Sequence, residues 1–389
     1  MNSVEQQTES DARQVDDRPG GRLAGFRRAI ALAWPALLGY AVVRAIGLLT
    51  LAVWGAARDA RFERLIGARA DAGWYLRIAE HGYDSGEQLH SDLAFFPLYP
   101  QLVSWLTPLS PLTMRGTAIA IAWIASLAAA WGLFAVGHHL YGRRTGVLLA
   151  LVWGALPHAV VQSMAYTESL FTALAAWSLY GVLTRRWLVA GVLCLLAGLT
   201  RPTAVALIAV VALAALVALA RRQGGWRALA ALLLAPLGWL GYLAWVGQHT
   251  GQPLRWFEIQ GEGWGSRFDF GAGSLATVRG ALDEPSGLQW YMVAAVVVAA
   301  VTLFVLTILD RQPWPLLLYS GLLLVVTLGS SGYPYAKARF LLPAFALLLP
   351  VALGLARTTR PRAAVALAAL TALSAYYGGY LLLIWTASP

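Results

Sequence analysis

The sequence predicts an all-α, polytopic membrane protein, and three observations carry that reading. Of 389 residues, 59% are hydrophobic and 12% charged, with a mean hydropathy of +0.62, against about 45–50% apolar and about 25% charged in a soluble domain. The apolar residues gather in runs of about 20, the length that crosses the hydrocarbon core as a helix. Arginines sit mostly at the ends of these runs, as the positive-inside rule expects.

That placement also disposes of nucleic acid as a partner. The net charge is +10, but no basic stripe with interleaved aromatics accompanies it. The single cysteine, Cys194, lies within an apolar run and excludes an internal disulfide framework or a cysteine-built metal site.

In chain order, residues 1–28 are polar, mixed in charge and without the apolar core of a signal peptide, and read as a disordered cytoplasmic tail. The rest, 29–389, reads as one transmembrane domain. Its first span, 29–57, contains Arg44, whose cost in a membrane points to pairing with a buried acid or backbone carbonyls. A long first loop follows, about 58–112, opening with a segment that puts Phe62, Leu65 and Ile66 on one face, as an interfacial helix would. Further spans are expected near 116–137, 147–161, 168–184, 187–199, 202–220 and 228–248. A second long loop, about 249–287, is rich in Gly and Trp. The last spans fall near 288–309, 315–329, 341–356 and 363–386, giving about eleven in all. Bases crowd the N-terminal side of this topology while the other side is nearly balanced. The N-terminus is therefore expected in the cytoplasm, and Asp71, Glu168, Arg201, Lys337 and Arg339 on the extracytoplasmic face.

The first loop is not a simple connector. Between Asp71 and Pro100 it sets Asp71, Glu80, Asp84, Glu87 and Asp92 among Trp74, Tyr75, Tyr83, Phe95, Phe96 and Tyr99. Asp71 opens a short helical pattern with Trp74 at i+3 and Tyr75 at i+4. A carboxylate shielded by aromatics suits a general base; an Asp there is equally a helix N-cap. Glu168 precedes an apolar run, either as a first-turn Glu favoured by the helix dipole or as a substrate ligand. Arg201 interrupts an apolar stretch, where it can clamp a phosphate or snorkel to the interface. Lys337 and Arg339, beside Tyr333 and Tyr335, suit a lipid phosphate or interfacial anchoring. The histidines show no metal-ligand spacing, and no glycine loop cradles a nucleotide, so neither a metal nor another cofactor is expected.

The motifs have a familiar order. AspAlaGlyTrpTyrLeuArgIleAlaGluHisGlyTyr (71–83) followed by AlaPhePheProLeuTyrPro (94–100) resembles the PIG-V family, the second mannosyltransferase of GPI-anchor synthesis, and its bacterial relatives. TyrThrGluSerLeuPhe (166–171), GlyLeuThrArgProThr (198–203) and ArgPheLeuLeuPro (339–343) look like further family blocks, so the resemblance covers about residues 29–350. It departs at Ala70, where relatives usually carry Trp. The resemblance implies a GT-C-type helix bundle that takes mannose from a polyprenyl-phosphate-mannose lipid. The acceptor would be a glycolipid or glycan hydroxyl outside the cytoplasm, attacked with inversion. On that reading Asp71 is the catalytic base, and Arg201, Lys337 and Arg339 bind the donor phosphate. Asp92, Tyr166 and Glu168 orient the sugar, and Phe95, Phe96 and Tyr99 shape the lipid entrance, with Trp74 and Tyr75 also facing substrate. The alternative is a transporter or flippase of polyprenyl-linked sugars, which inverted repeats would mark; no copy of the first-loop block recurs in the second half.

Overall fold

The computed structural model describes residues 19–88, 90–283 and 287–389, so most of the expected tail lies outside them. The first helix, α1 (Pro19–Ala56), begins within that tail, so residues 19–28 extend the first span. Among the described residues there is no strand, only one isolated bridge between Phe268 and Ser330.

The first loop carries three short helices, α2 (Phe62–Gly67), α3 (Asp71–His81) and α4 (Leu98–Leu106). Then come α5 (Met114–Tyr141), α6 (Arg143–Gly154), α7 (Glu168–Leu183), α8 (Trp187–Gly198), α9 (Ala204–Ala220) and α10 (Gly225–Thr250). The second loop holds α11 (Arg255–Glu258) and α12 (Ala272–Asp283). The chain closes with α13 (Leu288–Leu309), α14 (Trp314–Leu328), α15 (Lys337–Phe340), α16 (Leu349–Arg357) and α17 (Arg360–Leu383). Thr113 caps α5, accepting from the Gly116 N–H at 3.1 Å.

Five of these helices are long and apolar enough to cross a membrane, or six if the bent segments Pro334–Phe340 and Phe345–Arg357 are taken as one span. Four more of the eleven expected spans are shorter apolar helices, α7, α8, α9 and α14, and two take a different form. The run at 147–161 is α-helical only to Gly154 and continues as a 3-10 turn over Ala159–Ser163; Pro157 lacks the N–H a continuing helix needs. The run at 341–356 bends by 75° from the segment before it, next to Pro343, which interrupts the ladder for the same reason.

Outside and inside are inverted relative to a soluble bundle. Val42, Ile46, Leu49 and Val53 on α1, and Leu229, Leu233, Leu237 and Leu240 on α10, are exposed at helical spacing and face the bilayer. Small residues make the helix contacts instead, as expected where lipid already solvates apolar side chains. A Cβ on Gly238 of α10 would stand 2.0 Å from the Leu195 carbonyl of α8, and one on Gly137 would stand 2.8 Å from Gly146 Cα. Arg44 donates to the Gly154 carbonyl at 3.2 Å and to the Ser163 hydroxyl at 3.3 Å, so a carbonyl and a hydroxyl answer its charge inside the bundle.

Candidate active site

The two long loops are laced together over one end of the bundle. Tyr242 of α10 donates to the carbonyls of Leu93 and Phe95 at 2.9 and 2.8 Å, and Arg255 donates to those of Gly86 and Glu87. The second loop is in turn paired with the stretch before α15, through Ser331 N–H to the Arg267 carbonyl at 2.6 Å and Asp269 N–H to the Gly329 carbonyl at 2.8 Å. Gly332 makes that approach possible: its φ is +77°, and a Cβ would lie 2.7 Å from the Gly265 carbonyl.

Asp71 is the first residue of α3, and Ala70 holds the N-cap position with φ +49° and no side-chain cap. The cap reading of Asp71 is therefore set aside. The turn before it is pinned on both sides. Arg69 donates to the carbonyls of Leu382 and Trp385 at the end of α17, and its own carbonyl accepts from the Tyr166 hydroxyl at 3.2 Å.

From this fixed point runs a chain of charges. Asp71 Oδ2 lies 2.8 Å from Arg339 Nη2; Arg339 Nε is 3.4 Å from Glu168 Oε1; the same oxygen is 2.7 Å from Arg201 Nη1. Arg201 also donates to the Thr167 hydroxyl at 2.9 Å, which meets the Tyr75 hydroxyl at 3.1 Å. The Arg339 guanidinium is 5.0 Å from the Tyr166 ring centroid and 4.9 Å from that of Phe340. Residues from four distant blocks of sequence thus meet at one place.

They border a cavity of about 380 Å³. Asp71, Tyr75, Phe95, Phe96, Arg201, Lys337 and Arg339 line it, all of them singled out from sequence. Lys337 is buried and donates to the Thr327 carbonyl at 3.1 Å and to that of Ser330.

The structure does not bring five other expected substrate residues to the wall. Glu168, 1% exposed, lies behind the arginines as their shared counter-ion. Tyr166 presents its ring to Arg339. Tyr99 is fully buried, its hydroxyl bonded to the Ala118 carbonyl at 2.7 Å. Trp74 stacks on Phe95 at 5.7 Å and carries the Arg77 guanidinium at 4.5 Å. Asp92 is buried and serves the loop itself, 2.9 Å from Arg77 and accepting from the Asp84 N–H at 2.9 Å. Burial pushes the Asp92 carboxyl up. Burial also acts to raise Asp84, but hydrogen bonds from the Ser91 hydroxyl and the Asp92 and Gly86 N–H groups outweigh it, leaving that carboxyl below its ordinary value.

Other lining residues, Trp239, Trp256, Gln260, Trp264 and Ser388, the last accepting from Arg339 at 3.1 Å, were missed from sequence. The only signal was the tryptophan density around the second loop, and composition does not tell which rings turn inward. Among the described residues no group of three or more His, Cys, Asp or Glu could hold a metal ion.

No protein-family model and no curated protein matches the chain. Solved structures do. ArnT from Cupriavidus metallidurans, bound to undecaprenyl phosphate, aligns over 85% of this chain and 61% of its own, with a TM-score of 0.53 at 17% identity. The helix bundle shares its fold with that structure. At that identity the likeness is one of fold, and the chain spans about three fifths of ArnT's length. The oligosaccharyltransferase AglB of Archaeoglobus fulgidus, in complex with an inhibitory peptide and a dolichol-phosphate, aligns over 90% of this chain and 56% of its own, with 15% identity and a TM-score of 0.46.

Proposed function

We propose that the protein is a membrane glycosyltransferase of the PIG-V kind, moving mannose from a polyprenyl-phosphate-mannose lipid to an acceptor hydroxyl on the extracytoplasmic face, with inversion. The observation that carries this is the meeting of one accessible carboxylate, Asp71, with Arg201, Lys337 and Arg339 around a single cavity. The ArnT structure was solved with undecaprenyl phosphate, and a carrier of that class is what three cations in a water-poor cavity would hold.

On this reading the donor phosphate lies against the cations, which stabilise the negative charge that grows as the anomeric C–O bond breaks. Arg339 offers a planar fork suited to phosphate oxygens. Without donor that guanidinium is spent on Asp71. An arriving phosphate competes for it and leaves Asp71 free to accept the acceptor's proton. The acceptor oxygen then attacks the anomeric carbon from the face opposite the phosphate, and polyprenyl phosphate departs. Trp239, Trp256 and Trp264 offer apolar faces to a sugar ring and Gln260 a polar edge. Glu168 holds two of the cations in place.

The test is transfer of radiolabelled mannose by purified protein in liposomes containing polyprenyl-phosphate mannose and candidate glycolipid acceptors. Asp71→Asn should lower turnover at least about a hundredfold, the scale of a general base, while donor binding persists. Near-normal turnover by that variant would overturn the assignment, as would movement of intact donor across the bilayer without transfer.

A further inference from the structure

On the far side of the segment that carries Lys337 and Arg339 lies a second space, an apolar groove of about 260 Å³. One wall is a face of α13, from Met292 through Val296 and Ala300 to Leu303; the other includes Ala338, Leu342 and Leu347. The twelve residues from Met292 to Leu303 make it roughly 16 Å long. Ala295 and Ala299, which also line it, are exposed, and so are Val298, Val301 and Val305 beside them. The groove therefore opens sideways toward the bilayer.

Its lining has one polar side chain, His158, which is 2% exposed and whose Nε2 has no hydrogen-bond partner. The His158 ring meets Tyr377 edge-on at 5.1 Å, and the Tyr377 hydroxyl is likewise buried and unpartnered. An orphaned buried nitrogen in the wall of an apolar groove is costly. It points to an occupant with a hydrogen-bonding atom at one end and hydrocarbon along the rest.

We infer that the groove binds one acyl chain of a bilayer glycerophospholipid, its ester group at His158, and that this lipid braces the segment bearing Lys337 and Arg339. A polyprenyl phosphate carries its polar group as a charged terminal phosphate, and the lining holds no cation to meet it. The site is separate from the cavity at Asp71 and does not depend on the glycosyltransferase reading.

The test uses full-length protein stripped of lipid in detergent. Binding of a diacyl phosphatidylethanolamine, and of polyprenyl phosphate as the contrasting hydrocarbon, is measured by native mass spectrometry and by the shift in unfolding temperature. Wild type should retain one tightly bound phospholipid and unfold at higher temperature when it is added. Ala299→Phe fills the groove from an exposed position and should weaken binding at least about tenfold. His158→Leu should weaken it about three- to tenfold, the range of one hydrogen bond. Wild-type affinity in Ala299→Phe would overturn the inference, as would polyprenyl phosphate displacing the phospholipid at equal concentration. A phospholipid with a photoreactive acyl chain gives a readout that needs no variant: crosslinks to 292–303 or 338–348 support the site, and crosslinks confined to other helices refute it.

Discussion

At the scale of single residues, Glu168 explains most about how the site holds together. Two arginines converge on one of its oxygens in a place from which water is shut out. A buried charge left without its partner costs about 3–5 kcal/mol, so Glu168→Ala should lower the unfolding temperature clearly even though Glu168 does not line the cavity. Glu168→Gln keeps the shape and an acceptor oxygen, and should be milder in stability yet weaken donor binding by releasing Arg201 and Arg339. Equal unfolding temperatures for wild type and Glu168→Ala would show that the arginines find other partners. Asp71, Arg201, Lys337 and Arg339 were legible as charges at odds with their apolar surroundings. Which carboxylate faces the cavity and which stands behind it was not legible, because both carry the same sequence signal, an acid at a helix start.

At the scale of elements, the first loop is shaped by Asp84. Its Oδ1 accepts from the Gly86 N–H at 2.8 Å and the Ser91 hydroxyl at 2.6 Å, and its Oδ2 accepts from the Asp92 N–H at 3.1 Å. Since folding lowers the Asp84 carboxyl, its contribution is present above the ordinary carboxylate range and is lost as pH falls through the lowered value. Asp92 is shifted the other way by burial, so taking its proton does not weaken the folded loop. Amide exchange across 82–88 and 90–95 should therefore quicken only as pH falls below the ordinary carboxylate range, where Asp84 takes its proton. Asp84→Asn should show fast exchange already at neutral pH, at a cost on the order of 1–3 kcal/mol.

Helix packing has an equally local test. Gly238→Ala drives a methyl against the Leu195 carbonyl and should destabilise the protein, whereas Gly241→Ala, three residues on and with nothing within 4 Å, should be neutral or slightly stabilising. Similar unfolding temperatures for the two would mean that α8 and α10 can separate without loss.

For the whole molecule the open quantity is orientation. Cys194 is buried, so the native chain should react poorly with a membrane-impermeant maleimide. In intact cells Ser266→Cys, in the second loop, should be labelled from outside, and Arg144→Cys, in the first turn of α6, only after permeabilisation. The reverse pattern would turn the cavity toward the cytoplasm and remove the case for an extracytoplasmic lipid donor.

By itself the sequence determined the membrane class, the positions of the apolar helices and the charges that do not belong among them. Those follow from transfer free energies, which each residue carries with it wherever the chain goes. It also pointed to the first loop, where acids and rings are too dense for a connector. Only the tertiary structure decided that Arg339 reaches both Asp71 and Glu168, that Asp92 and Tyr99 serve the scaffold, and that the tryptophans of α10 and the second loop close the cavity. Those outcomes depend on contacts between segments up to about 270 residues apart, and on glycines that let helices and loops touch. No local pattern encodes which partner a side chain finds once the bundle has closed.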